Sequence, residues 1–324
     1  MQNLIEQLAG QLDQEPVQPE GAAQKIPEAP VSAPPAGIAP SRVQEASISA
    51  PALPRGMPTR AVRGAPPERE AAPFGHIALI AEAVEAKRMD VLLDPILGLS
   101  DRRARHFELS VRLLTERGDS LDEEQYGSAA AGTGLLGRID AEKLARAADV
   151  LQRLRSRGSA ASLFSTVAGE SLSDDNFASV FADVLEAEED NASRLVLTFR
   201  QAEARNFTDA HWRAVSDMSR IGLKFALTGV TDLDMDFEAL KRHGFDFVKL
   251  DARVFLEGLP TPTGVVPAAD ICRHMAGIGL GLIVGGIVEE KDLARILGFG
   301  VLLGQGALFG GARSVELERQ RRAA

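Results

Sequence analysis

Glu108 and Arg112 stand four residues apart in HFELSVR, and Lys249 and Asp251 stand two apart in FDFVKLD. Side chains alternate along a β-strand, so each spacing puts both groups on one face. Read from the residues alone, this Lys–Asp–Glu–Arg set first suggests an ion-pair network inside a barrel, because structural ion pairs also gather charge. The other strand ends offer Thr166, Thr198, Thr228 with Gly229, Gly285 with Gly286, and Gln305. That set is short of anions. A hydrolytic two-metal site needs several carboxylates around hard cations, and only Glu108 and Asp251 are supplied. The histidines, His76, His106, His211, His243 and His274, fall beside helices or one residue off the inward register. There is no HExxH and no nucleophile elbow.

These residues need a frame that brings strand ends together. From about His76 to Val315, apolar runs of strand length alternate with helical patterns. MDVLLDPILGL, HFELSVRLL, SAASLFSTVAG, RLVLTFR, LKFALTGV, FDFVKLD, GLIVGG and VLLGQGAL read as strands. HIALIAEAVEAKR reads as a helix before the first strand. DAEKLARAADVLQRLRSRG reads as a helix with Asp140 as N-cap, and SDDNFASVFADVLEAEED as one capped by Ser173 or Asp174. DAHWRAVSDMSRIG, DFEALKRHG, PAADICRHMAGIG and EKDLARILGFG complete the helices. Repeated βα units imply a parallel sheet with helices outside. Eight strands in about 240 residues fit a closed (β/α)₈ TIM-like barrel, α/β in class, with the working groups at the C-terminal strand ends. A doubly wound sheet is the runner-up, without a GxGxxG to support it.

The rest of the chain is different. Of 17 prolines, 13 lie between Pro16 and Pro73, mixed with Ala, Gly and charge. Residues 15–73 therefore read as a disordered linker. Before it, residues 1–14 read as a short helix with Leu4, Ile5, Leu8 and Leu12 on one face, a docking peptide or polar anchor, or else a frayed terminus. The barrel spans 74–315, and 316–324 is a charged tail. The net charge of −10 excludes general nucleic-acid binding. The single cysteine, Cys272, sits in an apolar helical context and reads as a small buried hydrophobe. No transmembrane segment and no signal peptide is read, which points to the cytoplasm.

Taken in order, the strand ends resemble the EAL-domain family, the cyclic di-GMP phosphodiesterases, over Phe74 to Arg313. LLDPILGL resembles the first strand, yyQPIvdl, with Asp94 in place of Gln. ELSVR resembles the ExLxR strand, matching at Glu108 and Arg112. YGSAAAGTGLLGRID resembles the FIplAEetGLI helix. FDFVKLD is similar to the DyvKiD strand, and ILGFGVLLGQGALFG to the closing segment with Gln305 and Gly306.

The departures fall on the chemistry that the resemblance implies. Thr166 stands where the family has a metal-binding Asn. Thr198 replaces a metal-binding Glu, with Gln201 at the later acid. Thr228 and Gly229 stand for two aspartates, and Gly285 and Val288 for two glutamates, a one-residue slip offering Glu289 for the second. Glu108, Lys249 and Asp251 remain as vestiges of the catalytic set. The resemblance thus implies a pseudo-enzyme with no metal and no cofactor. The expected role is a scaffold or regulator that binds a protein partner in bacterial signalling, such as motility or surface attachment. The alternative is a metal-independent receptor for cyclic di-GMP, contacted by Arg112 and Gln305 beside Asp94. An active phosphodiesterase ranks last.

Overall fold

Runs of Val, Ile, Leu and Phe are best accommodated on a pleated sheet covered on both faces. LVLTFR shows the pattern, with its first five residues all buried. A computed structural model describes residues 73–187, 191–262 and 264–315 of the chain. The expected N-terminal helix over 1–14, the linker up to its last residue and the tail 316–324 lie outside the described residues.

Among the described residues, eight strands close into a barrel. They are β1 (Met89–Gly98), β2 (Arg103–Leu114), β3 (Leu163–Thr166), β4 (Leu195–Arg200), β5 (Lys224–Thr228), β6 (Phe245–Asp251), β7 (Gly281–Gly285) and β8 (Leu303–Gly304). Strands β2 to β8 are parallel neighbours in sequence order. β1 differs from the expected all-parallel sheet: it pairs antiparallel with both β2 and β8. The cause is the connection. Only four residues, Leu99–Arg102, join β1 to β2, with Arg102 at a positive φ of 56°. A parallel neighbour needs a crossover of a dozen residues or more, so a short turn forces a hairpin.

The main helices are α1 (Pro73–Glu85), α2 (Glu123–Ala130), α3 (Leu135–Arg155), α4 (Asp175–Glu186), α5 (Asp209–Arg220), α6 (Phe237–Arg242), α7 (Ala252–Glu257), α8 (Ala268–Ile278) and α9 (Glu290–Gly298). Side chains at their starts hold free backbone N–H groups. Asp122 and Gln125 form a capping box on α2, Asp174 accepts from Phe177 N at 2.8 Å on α4, and Asp236 accepts from Ala239 N on α6. Asp140 is not the N-cap expected of it. α3 begins five residues earlier, after Gly134 in the left-handed conformation, and Asp140 is a buried residue within it. α7 and the hairpin Leu259–Thr261/Gly264–Val266 lack a counterpart in the sequence reading. No helix among the described residues is long and apolar enough to cross a membrane.

Two cores result. Outward strand side chains such as Leu197, Phe199 and Leu227 pack with the helices. A separate plug of Ile96, Phe164, Val196, Ala226 and Ile283, with Phe247 and Leu303 against it, fills the barrel interior. His106 belongs to this interior and is not off register. Its ring meets Phe164 and Phe247 edge-on, with centroids 5.7 and 6.0 Å apart. Burial, with Lys224 and Arg105 nearby, lowers its pKa to about 4. It is therefore neutral, and its Nδ1 accepts from Ser162 N–H at 3.2 Å.

Candidate functional site

The plug lies one residue pair below the strand ends, so the next inward positions form the floor of the mouth. They are Asp94 on β1, Glu108 on β2, Thr166, Thr198, Lys249, and Gln305 just beyond β8. Asp94 and Glu108 are directly opposed in the β1–β2 hairpin. Lys249 Nζ donates to Glu108 Oε2 at 2.6 Å, and Gln305 Nε2 donates to the same oxygen at 2.6 Å. Gln305 Nε2 also reaches Asp94 Oδ2 at 3.1 Å. Four residues on or just beyond different strands thus share one network, Gln305 buried and the other three half-buried.

Burial alone would raise the pKa of Glu108, but the Lys249 charge and the bonds from Lys249 and Gln305 outweigh it and hold the carboxyl below its ordinary value. Asp94 behaves in the opposite way. Burial and then the Glu108 charge raise its pKa to about 6, with Lys249 and Gln305 offsetting only part. Its Oδ1 has no hydrogen-bond partner, nor has Gln305 Oε1 or Thr198 Oγ1.

Backbone geometry fixes Gln305. Its N–H donates to Val284 O at 3.0 Å, and its carbonyl accepts from Ile287 N at 3.1 Å. The next residue, Gly306, has φ 148°. A Cβ there would come within 2.3 Å of both Ile287 N and Ile287 O. Gly285 has a different role. A Cβ on it would sit 3.0 Å from Lys249 Cε, so the lysine stem lies where a longer side chain at 285 would begin.

Above the floor opens a cleft of about 540 Å³ that brings together Glu108, Arg112, Thr166, Thr228 and Gly229. Arg112 is exposed there and makes no ion pair among the described residues. Asp251 does not join the network. It caps α7 by accepting from Arg253 N at 2.9 Å. Val288 is exposed, and Glu289 is held in a surface pair with Lys291 at 2.7 Å, so neither supplies a ligand to the floor. Gln201 is buried and works on the loop after β5. Its Oε1 accepts from Thr231 N, and its Nε2 donates to Asp232 O, both at 2.9 Å.

Three features of the mouth were missed from sequence. Arg200 lines the cleft and pairs with Glu123 of α2 at 3.0 Å; its signal was the alternation two residues beyond Thr198. Asp140 bridges Lys143 at 2.8 Å to Ala168 N at 2.8 Å and Ser171 Oγ at 2.7 Å, fixing the loop after β3. Tyr126 is buried against that cluster with its hydroxyl unpartnered. No local sequence pattern announces the last two.

A sequence profile of the EAL domain matches residues 78–312. The chain belongs to the EAL-domain family. Solved EAL structures share its fold. The FimX EAL domain of Pseudomonas aeruginosa bound to c-di-GMP aligns with TM-score 0.61 at 21% identity, covering 73% of this chain and 96% of that one. The PaMucR phosphodiesterase in complex with c-di-GMP aligns with TM-score 0.65 at 17% identity over 75% and 99%. The Xanthomonas citri FimX EAL domain with c-diGMP aligns with TM-score 0.63 at 16% identity over 75% and 95%. No curated protein sequence matched the chain.

The divalent cations that the family's hydrolysis calls for do not fit this donor set. Mg²⁺ and Mn²⁺ prefer about six oxygen ligands. Glu108 already accepts from an ammonium and an amide on one oxygen, Asp94 is the one other carboxylate of the floor, and Thr166, Thr198, Thr228, Gly229, Gly285 and Val288 add none. Among the described residues no group of three or more His, Cys, Asp or Glu is placed to hold a metal ion.

Proposed function

We propose that this EAL domain does not hydrolyse cyclic di-GMP and acts as a protein-binding regulator or scaffold in bacterial signalling. One observation carries the reading: Lys249 and Gln305 converge on the one family acid left in the floor, Glu108. A lysine ammonium beside Glu108 supplies the positive charge that a cation would otherwise bring, but it cannot polarise a water into hydroxide as a metal does. The rim is suited to a folded partner. Arg112 and Arg200 alternate there with Asp122, Glu123 and Glu124, a mixed-charge edge of the kind that steers protein association. Affinity capture from the native cell with wild type and with Arg112→Glu/Arg200→Glu tests this. A protein retained by the wild type and lost from the double variant supports the scaffold. An identical set of retained proteins for both removes the rim from the account.

A second reading, a metal-independent cyclic di-GMP receptor, is favoured by the exposed Arg112. A guanidinium forks onto phosphate oxygens, and the FimX and PaMucR structures hold c-di-GMP. Asp94 counts against it, since above a pH of about 6 it adds a second negative charge beside Glu108. Isothermal titration with cyclic di-GMP separates the two readings. Micromolar binding lost in Arg112→Ala would replace the scaffold with the receptor.

A further inference from the structure

The end of the barrel opposite the mouth carries a cavity of about 610 Å³. Its wall is made by Cys272, Met275 and Ala276 of α8, by Leu280 and Leu282 around the start of β7, and by Leu302 before β8. Leu302 is 76% exposed, the highest value among the large apolar side chains described. The neutral His106 backs the cavity, and Arg105 lies on its edge. The β1–β2 turn that leads to it is basic. Arg102 pairs with Glu290 and Arg105 with Asp101, while Arg103 makes no ion pair among the described residues.

The sequence supplies an apolar stripe with the matching charge. Leu4, Ile5, Leu8 and Leu12 recur at helical spacing beside Glu6, Asp13 and Glu15, and no Lys or Arg precedes Lys25. We infer that this segment, Leu4 to Leu12, docks as an amphipathic helix in the cavity at the closed end of the barrel, its acidic side chains toward the basic turn that carries Arg103. A nine-residue helix is about 13 Å long and is marginal on its own, so it needs an apolar surface to form. The leash is adequate. About 60 residues separate Leu12 from α1, and a chain of that length can extend at about 3.3 Å per residue, well past a radius of gyration near 18 Å for a 240-residue domain. Tethering also gives the segment an effective concentration of order millimolar, which favours it over a free partner of equal affinity. Docking there leaves the mouth open, so the segment would shield the closed end without competing for the rim that contains Arg112 and Arg200.

Cys272 is the chain's only cysteine and lines the cavity, so it reports occupancy without any added label. The rate of its reaction with an aromatic disulfide reagent is compared between the full chain and Leu4→Asp/Leu8→Asp. The substitutions lie outside the barrel and leave its folding unaffected, which circular dichroism checks. The double variant is expected to react at least about threefold faster, and a synthetic peptide of residues 1–15 added to it should slow the reaction again. Equal rates in the two proteins would overturn the proposal. A wild-type rate that climbs on dilution would also overturn it, by assigning the cover to a second copy of the chain.

Discussion

Glu108 and Lys249 decide what the mouth can do because they bind each other. Their side chains are 18% and 20% exposed, so the pair is largely desolvated, and removing one partner strands the other. Lys249→Met is expected to destabilise the fold by roughly 2–4 kcal/mol in urea unfolding, below the upper range for a fully buried pair. Glu108→Gln/Lys249→Met should recover most of that loss, since a neutral pair no longer carries a buried charge. A double variant no more stable than Lys249→Met would show that the pair does not act as a unit. Asp94 gives a test of opposite sign. Its folded-state pKa is raised from 3.8 to about 6, so the fold favours its protonated form. The stability it lends is present below a pH of about 4 and is lost as the pH rises through 6. Asp94→Asn should therefore stabilise the protein at pH 8 by roughly 1–2 kcal/mol, after allowing for solvent screening of a half-buried group. At pH 4 the variant and the wild type should differ little. Melting both proteins across that range reads the sign directly.

At the scale of elements, most of the barrel was legible because its strands are short and apolar and its helices carry caps and clear periodicity. β1 shows how far the pattern goes and where it stops. Its existence was plain from MDVLLDPILGL, and its direction was available too, because no helix separates it from HFELSVR. Alternating βα units invited a parallel assignment, and the four-residue turn contradicts it. Asp140 departs from the expected N-cap for a different reason. An Asp near the start of an apolar-periodic run matches an N-cap, yet Gly134 lets α3 begin earlier, and Lys143 with Ser171 gives the carboxylate a buried use. His106 lies two residues before Glu108, so the alternation that turns Glu108 inward turns His106 inward as well, one layer deeper in the barrel. Glycines at the β8 end hold the network in place. Gly306→Ala would push a Cβ into Ile287 backbone atoms, a clash that no side-chain rotation relieves. The expected outcome is a loss of at least about 3 kcal/mol or failure to fold, while Gly298→Ala, on α9 with open space around it, should be neutral or slightly stabilising. Equal melting temperatures for the two variants would contradict the tight Gln305 turn.

Across the whole molecule, an apolar plug closes the barrel below a mouth whose charges are largely spent on one another. Glu108, Arg112, Thr166, Thr198, Thr228, Lys249 and Gln305 were readable from strand ends alone, and so was the shortage of carboxylates; Arg200, Asp140 and Tyr126 were not. Nor were their partners. Lys249 meets Glu108 across 141 positions and Gln305 meets Asp94 across 211, and no local spacing encodes such contacts. Arg200 and Glu123, which draw α2 toward the cleft, depend equally on closure of the sheet. The proposed loss of hydrolysis depends on a floor too poor in carboxylates for a metal pair. Incubating the full chain with cyclic di-GMP and excess Mn²⁺ and following linear dinucleotide by chromatography tests that most directly. The prediction is no product above the level given by Glu108→Gln. Steady release of linear product by the wild type, abolished in Glu108→Gln, would contradict it.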